Sequence, residues 1–172
     1  MKSMVEISHD FLEANCTEGA ICVDATLGKG RDTQFFLSFP VQKVYAFEVQ
    51  ENLIQQAKTI DDSRLTLFHK GHEQMDCIQE KVDAIVFNLG YCPGDTYGIS
   101  TQKETTLVAV RKALDLLKQS GRMAVVCYPH EEGKKEKESI LSFLESREDI
   151  QVDKIDNQNP RSPMCILIEK NQ

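Results

Sequence analysis

Short apolar runs alternate along the chain with segments whose apolar residues recur at helical spacing. The apolar runs predict five strands, at about residues 20–25, 43–48, 64–68, 82–88 and 123–128. Helical spacing and helix-start residues predict helices between them, at about residues 4–14, 32–39, 50–59, 101–120 and 134–147. Such an alternation of strand and helix is typical of a parallel sheet.

Two further apolar runs lie near residues 150–156 and 164–170, with no helical pattern between them. These two strands are therefore expected to form an antiparallel hairpin. The sequence thus predicts an α/β, Rossmann-like fold with a seven-stranded, mostly parallel sheet, a C-terminal antiparallel hairpin and helices on both faces. A dinucleotide-dependent dehydrogenase would normally continue with parallel strand and helix units, whereas a final hairpin is typical of methyltransferases that use S-adenosylmethionine.

The fourth predicted helix has clear signals at both ends. Thr101 and Glu104 stand in the spacing of a capping box, and apolar residues follow at positions that face a core. Gly121 is predicted to end this helix.

Length and charge limit the class of protein. The length of 172 residues fits one domain, so we expect a single domain over residues 1–172 and no separate substrate domain. The net charge is −7, with 27 acidic against 20 basic residues, and this weakens the picture of a basic surface that clamps nucleic acid. A local basic patch remains compatible with that balance, and the candidates are the segments around 29–31 and 133–137.

The cysteine and histidine patterns bear on compartment and on metals. The six cysteines include no C-x-x-C pair, and several fall inside predicted strands, which indicates reduced thiols and a cytoplasmic protein. The first ten residues do not resemble a secretory signal, and no apolar run approaches the ~18 residues that a membrane helix requires. The four histidines are not spaced with cysteines as metal ligands, so we expect metal-independent chemistry.

A glycine-rich turn follows the first strand and indicates a nucleoside-containing cofactor. The strand ends in Asp24, and Gly28, Lys29 and Gly30 follow, whose backbone N–H groups can approach a ligand closely. Asp24 is expected to receive the ammonium group of the cofactor, directly or through water; the alternative is that it caps the neighbouring helix or loop. Glu48 ends the second strand, where folds of this type place the carboxylate that binds the ribose hydroxyls.

Four further positions extend the predicted cofactor site. Gln50 can add a hydrogen bond to the ribose or the adenine, and Asp32, in the first turn of the second helix beside Thr33, can reach the charged end of the cofactor. Gly71 and His72 follow the third strand, where this fold commonly holds the adenine.

The fourth strand ends in Asn88-Leu-Gly-Tyr91, and the turn-rich loop after it is a candidate active-site loop. The Asn-x-x-Tyr spacing is similar to the Asn-Pro-Pro-Tyr signature with which amino-group methyltransferases hold a nitrogen. The carbonyl of Asn88 can accept N–H bonds from an amine, the ring of Tyr91 can stack on a base, and Asp95 or His130 can accept a proton. The alternative is that Asn88 caps the strand and Tyr91 anchors the loop.

Several motifs together are more specific than the glycine turn alone. They read V-D-A-T-L-G-K-G-R-D-T at 23–33, A-F-E-V-Q at 46–50, F-N-L-G-Y-C-P-G-D at 87–95 and Y-P-H-E-E-G-K at 128–134. They resemble, over almost the whole chain, the small bacterial methyltransferases once labelled rRNA methylases and now associated with 5-aminomethyl-(2-thio)uridine of tRNA. Members usually carry an asparagine at the place of Lys29 and a glycine between the equivalents of Pro129 and His130, so the chain departs from the pattern there.

This resemblance implies a particular reaction. It predicts an N-methyltransferase that uses S-adenosyl-L-methionine to convert 5-aminomethyl-(2-thio)uridine to its methylaminomethyl form at the tRNA wobble position, with the anticodon region as substrate. It also raises the weight of His72 as a cofactor residue, and a homodimer is expected by analogy. Two alternatives stay open: a methyltransferase acting on rRNA or a small amine, and a non-catalytic nucleoside- or RNA-binding module.

Overall fold

The computed structural model describes residues 2–89, 103–128, 131–157 and 162–172, with the backbone alone at 103–104 and 131–136. The strands are β1 Ile21–Asp24, β2 Lys43–Phe47, β3 Leu65–Phe68, β4 Val82–Leu89, β5 Leu117–Cys127, β6 Ile150–Ile155 and β7 Met164–Lys170. The α-helices are α1 Met4–Glu13, α2 Arg31–Leu37, α3 Glu51–Ala57, α4 Lys103–Leu116 and α5 Glu131–Glu145. A 3-10 helix at His72–Cys77, which the sequence pattern did not predict, lies between β3 and β4.

The seven strands form one sheet in the order β3-β2-β1-β4-β5-β7-β6. The pairs on the β3 side of β5 are parallel, and β7 is antiparallel to both β5 and β6. The predicted fold class is therefore confirmed, including the C-terminal antiparallel hairpin. The chain order changes direction between β1 and β4, because the strands after β1 extend the sheet to one side and the strands after β4 extend it to the other. Open α/β sheets bind ligands at such a point.

Helices cover both faces of the sheet because buried residues of the inner strands alternate in direction. Val86 packs in a cluster with Leu12 of α1 and Phe36 of α2. The next residue, Phe87, packs on the other face in a cluster with Leu114 of α4. Central strands that are buried on both faces are typical of this architecture.

Several interactions fix helix α1 on the sheet. Ser3 and Glu6 form a capping box at its start. Near its end, Arg122 of β5 donates a hydrogen bond to the carbonyl oxygen of Phe11 at 2.8 Å, and its guanidinium lies 4.5 Å from the centre of the Phe11 ring. Arg122 is in turn paired with Glu169 of β7 at 2.8 Å. The rotation and height of α1 on the sheet are thereby set.

The predicted end of the fourth helix was wrong. Helix α4 ends at Leu116, and β5 begins at the next residue. The left-handed residue is Ser120, with φ of 64°, and the register between β4 and β5 shifts at this point. This register shift is a bulge in β5, and a Cβ atom on Gly121 would lie 2.6 Å from Cγ of Leu117. Gly121 therefore lets its backbone approach the Leu117 side chain closely within the bulge and does not cap a helix. The capping-box side chains predicted at Thr101 and Glu104 lie outside the described residues.

Within the described part of the chain, no helix combines the length and the apolar character that crossing a bilayer would require.

Candidate active site

Polar side chains gather where four neighbouring strands end. Asp24 is the last residue of β1, Glu48 follows β2, Asn88 is the last residue but one of β4, and Tyr128 follows β5. The carboxyl ends of parallel strands meet at one edge of a sheet, so these residues share that edge.

The carboxylate of Asp24 is fully buried and held by two donors. The hydroxyl of Thr33 donates to its Oδ2 at 2.7 Å, and the backbone N–H of Thr26 donates to its Oδ1 at 3.2 Å. Burial raises the pKa of Asp24 well above its usual range, and the neighbouring charges of Asp32 and Glu48 add to the rise. A cation placed next to Asp24 would offset this cost and favour the ionised form of its side chain.

Glu48 connects the glycine turn to the start of α3. The N–H of Gly28 donates to its Oε1 at 2.9 Å, and the N–H groups of Val49 and Gln50 both donate to its Oε2 at 3.0 Å. Gly28 has a φ of 54° and Gly30 one of 84°, a region that glycine adopts without strain. The turn and the carboxylate predicted to bind the ribose thus form one hydrogen-bonded unit.

Asp32 lies at the centre of a chain of side chains that joins four elements. It is 4% exposed, its Oδ1 lies 2.6 Å from Nε2 of His9 in α1, and its Oδ2 accepts a bond from Nδ2 of Asn88 at 2.5 Å. The hydroxyl of Tyr128 donates to Oδ1 of Asn88 at 3.2 Å. The backbone N–H of Asn88 also donates to the hydroxyl of Thr26 at 2.6 Å.

His72 is 6% exposed and lies at the start of the 3-10 helix, for which Gly71 is the N-cap. Burial lowers the pKa of His72 to about 4, although Glu73 and a hydrogen bond to the Ala25 backbone act in the other direction. Its ring lies 5.5 Å from the ring of Phe87. The imidazole is therefore neutral near pH 7, and it connects the 3-10 helix to the ends of β1 and β4.

The remaining predicted cofactor residues have different environments. The side chain of Lys29, between Gly28 and Gly30, is exposed, so Lys29 contributes only its backbone to the glycine turn. Thr33 is fully buried and contacts Asp24, which makes it a support for that carboxylate. Gln50 is 8% exposed and is the N-cap of α3. Their roles toward the cofactor stay predictions.

Part of the predicted acceptor site lies outside the described residues: Tyr91, Asp95 and His130. The structure adds three residues that sequence reasoning had not assigned to the site, namely His9, Thr26 and Tyr128. Tyr128 comes directly after a parallel strand, so the rule that selected Asp24 and Glu48 would have selected it too. No comparable signal in the sequence singles out His9.

The donor and acceptor groups at this edge suit S-adenosylmethionine. The negative charges of Asp32 and Glu48 lie close enough to Asp24 to raise its pKa. Buried carboxylates are costly unless a cation compensates them, and S-adenosylmethionine carries an ammonium and a sulfonium. Among the described residues, no group of three or more histidine, cysteine or acidic side chains is arranged to hold a metal ion.

The strand order, the reversed last strand and the acid-lined glycine turn together define a Rossmann-like domain of the methyltransferase class. The chain belongs to the family described as "Putative rRNA methylase", whose model matches residues 44–169.

Two solved structures are similar over nearly the whole length of both chains. A crystal structure described as "putative rRNA-methylase" from Clostridium thermocellum is 37% identical with a TM-score of 0.91, and covers 99% of this chain and 98% of its own. A "putative methyltransferase" from Streptococcus mutans, solved in complex with SAH (S-adenosylhomocysteine), is 34% identical with a TM-score of 0.88, and covers 99% of both chains.

A named relative comes from Arabidopsis thaliana. It is a chloroplastic tRNA (mnm(5)s(2)U34)-methyltransferase, 30% identical over 161 residues, which are 83% of this chain. The match spans 59% of the length of that relative.

Proposed function

We propose that the protein is an S-adenosylmethionine-dependent N-methyltransferase that converts 5-aminomethyl-(2-thio)uridine to 5-methylaminomethyl-(2-thio)uridine at the wobble position of tRNA. The observation that carries this proposal is the similarity, over 83% of the chain, to a methyltransferase named for that nucleoside. The similarity to a structure in complex with SAH supports the choice of cofactor.

The cofactor would lie across the ends of β1 and β2. Asp24 and Asp32 would face its positive charge, Glu48 its ribose hydroxyls, and the turn at Gly28–Gly30 its methionine part. Bound there, S-adenosylmethionine supplies a methyl group on a sulfonium. Its binding would also exchange the N–H bonds that Glu48 now accepts from the backbone for bonds from the ribose.

The amine must be neutral and aligned when it takes the methyl group. The carbonyl oxygen of Asn88 has two lone pairs, of which one accepts the hydroxyl of Tyr128. The other can accept an N–H of the substrate amine and so aim the nitrogen lone pair. Holding the amine in one orientation lowers the activation free energy of methyl transfer substantially, because the nitrogen is already aligned with the methyl group before the reaction begins.

The test is methyl transfer from labelled S-adenosylmethionine to tRNA purified from a strain that lacks this protein, followed by nucleoside mass spectrometry. Label in methylaminomethyl-uridine is the expected result. Unlabelled tRNA, together with intact SAH binding in calorimetry, would overturn the substrate assignment and would not affect the assignments of fold and cofactor.

Variants of the full-length protein assign the acceptor site. Asn88→Ala removes the carbonyl and should lower kcat by about a hundredfold or more, as is typical when a positioning polar group is removed from a reacting centre. Gln151→Ala, an exposed change on the outer strand β6, is the matched control and should keep full activity. Equal activity of the two variants would exclude Asn88 from the acceptor site.

A second candidate substrate is rRNA, which the description of the family favours. The same labelled assay with ribosomal RNA from the deletion strain distinguishes the two. Label in rRNA and none in tRNA would select this alternative.

A further inference from the structure

We propose that His9 is a positioning residue for methyl transfer, which acts through Asp32 to fix the orientation of the Asn88 side-chain amide. The proposal rests on the proposed N-methyltransferase function, since Asn88 is taken there as the group that binds the amine. It gives helix α1, which lies outside the glycine turn and the strand ends, an indirect part in the reaction.

The orientation of an asparagine amide decides what it can bind. Its oxygen accepts hydrogen bonds and its nitrogen donates them, so a half-turn about the last side-chain bond exchanges an amine acceptor for an amine donor. An Asn88 that presented its NH₂ group to the substrate would repel the N–H groups of an amine.

Asp32 removes this ambiguity. An ionised carboxylate only accepts, and its Oδ2 lies 2.5 Å from the outer nitrogen of Asn88, so the NH₂ group must face Asp32. The carbonyl oxygen then faces the other way, where the hydroxyl of Tyr128 donates to it at 3.2 Å. The two neighbours agree on one orientation.

His9 holds Asp32 in the position that this requires. Its Nε2 lies 2.6 Å from the other carboxylate oxygen, Oδ1, so both oxygens of Asp32 are engaged and the carboxylate cannot rotate freely. Because that oxygen accepts, His9 must carry a hydrogen on Nε2. The imidazole is thus the outermost donor of the chain.

The imidazole itself is held rigidly. Its ring stacks on Phe35 of α2 with the centroids 3.9 Å apart and the planes 7° apart, and the side chain is 15% exposed. Phe11 lies two residues further along α1, and its carbonyl oxygen accepts a hydrogen bond from Arg122, which fixes the helix to β5. Two hydrogen bonds, between His9 and Asp32 and between Asp32 and Asn88, therefore connect the position of helix α1 to the side chain of Asn88.

Two substitutions at His9 separate the hydrogen bond from the packing. His9→Phe keeps a flat ring against Phe35 and removes the N–H donor. His9→Gln loses the stacked ring and keeps an N–H donor that can reach Asp32. Glu13→Gln, an exposed change on the same helix, is the matched control.

In His9→Phe, kcat is expected to fall about tenfold or more, the usual effect of losing a hydrogen bond that orients a reacting group. Loss of one hydrogen bond to the buried carboxylate of Asp32 should lower the melting temperature by only a few degrees, and the Kd for SAH should rise much less than kcat falls. His9→Gln should recover most of the lost kcat, and Glu13→Gln should match the wild type throughout. A kcat within twofold of the wild type in His9→Phe would overturn the proposal, as would a rise in the Kd for SAH as large as the fall in kcat, which would indicate a merely structural role.

A spectroscopic measurement decides the question even if the proposed substrate is wrong. In ¹⁵N-labelled protein without substrate, the two amide protons of Asn88 should be strongly inequivalent, and His9 should be protonated on Nε2. The inequivalence should shrink in His9→Phe and return in His9→Gln. Unchanged Asn88 signals in His9→Phe, or a His9 protonated only on Nδ1, would overturn the positioning chain; absence of methyl transfer by the wild type would overturn the substrate alone.

Discussion

The backbone N–H of Gly28 donates a hydrogen bond of 2.9 Å to the carboxylate of Glu48, a residue from the next strand. This bond closes the glycine turn against the loop before α3, and the second carboxylate oxygen accepts from Val49 and Gln50. One acidic side chain therefore shapes both walls of the proposed cofactor site. The same relationship makes Glu48 a sensitive point for mutation.

Glu48→Gln should weaken SAH binding by about tenfold or more. A glutamine offers one acceptor oxygen where the carboxylate offers two, so one ribose hydroxyl would lose its acceptor, and a hydrogen bond to a charged group contributes about 1.5–3 kcal/mol. Isothermal titration calorimetry with SAH measures the effect. Glu51→Gln removes the same charge at an exposed position in the first turn of α3 and should bind normally; equal losses in the two variants would point to net charge instead.

Asp24→Asn should separate stability from ligand binding. Burial and Asp32 raise the pKa of Asp24, so the folded state keeps its proton to a higher pH than the unfolded state, and stability falls as the pH rises through that range. An uncharged asparagine can replace both hydrogen bonds, because its oxygen can accept from the N–H of Thr26 and its NH₂ group can donate to the hydroxyl of Thr33.

We therefore expect the ligand-free Asp24→Asn protein to be at least as stable as the wild type at pH 8, while SAH binding loses about 2 kcal/mol or more, as is usual when one side of a buried charge pair is removed. Urea unfolding at pH 5 and pH 8 and calorimetry with SAH give both quantities. Asp61→Asn, at an exposed position, is the control. Undiminished SAH binding would show that Asp24 does not meet the ammonium.

His72 should make the protein sensitive to acid. Its pKa is lowered from 6.5 to about 4, so the unfolded state binds the proton first, and stability is lost as the pH falls from about 6.5 towards 4. The loss is expected to reach up to about 3 kcal/mol, and urea unfolding at several pH values measures it. His72→Gln keeps a donor for the Ala25 backbone and should flatten this dependence; an unchanged pH dependence in this variant would assign the acid sensitivity to other groups.

Gly121→Ala should destabilise the protein by about 1–3 kcal/mol, the usual cost of forcing atoms into a packed region. The added methyl group would lie 2.6 Å from Cγ of Leu117 and 2.8 Å from the carbonyl oxygen of Lys118. Gly19→Ala is an informative comparison, because Gly19 has a φ of 84° and nothing within 4 Å of the added atom, so only backbone strain of about 1 kcal/mol applies. Thermal unfolding compares the two; a Gly121→Ala protein as stable as the wild type would mean that the bulge adjusts freely.

The sequence placed the polar side chains of Asp24, Glu48 and Asn88 at one edge of the sheet because the rule behind that prediction is topological. In a parallel sheet the residue after each strand must lie at one edge, so an acid at the end of an apolar run is placed by counting alone. This rule predicts the positions of Asp24, Glu48 and Asn88. It does not predict their hydrogen-bond partners, because these depend on how the turns after the strands fold back.

His9 shows what lay beyond sequence reasoning. Apolar spacing predicts that α1 packs on the sheet through residues such as Leu12. It does not predict which residue of α2 lies opposite a polar residue of α1 such as His9. That pairing is set by tertiary contacts, chiefly the interaction of Arg122 with Phe11. Gly121 was misjudged for a related reason: a glycine after a helical pattern usually ends the helix, and here the neighbouring Ser120 adopts the left-handed conformation instead. The roles of Tyr91, the anticodon region and a homodimer stay predictions.

Helix α1 lies at the surface and is attached to a sheet whose strands are paired independently of it. Opening of such an outer helix requires less free energy than unfolding the strands beneath it. With His9 in the role proposed, a molecule whose first helix has lifted would retain its sheet and its glycine turn but lose the alignment of Asn88. Turnover would then cease at a lower temperature than cooperative melting of the sheet. The heat resistance of the enzyme's activity would thus be governed by the docking of its first helix and not by the strength of its core.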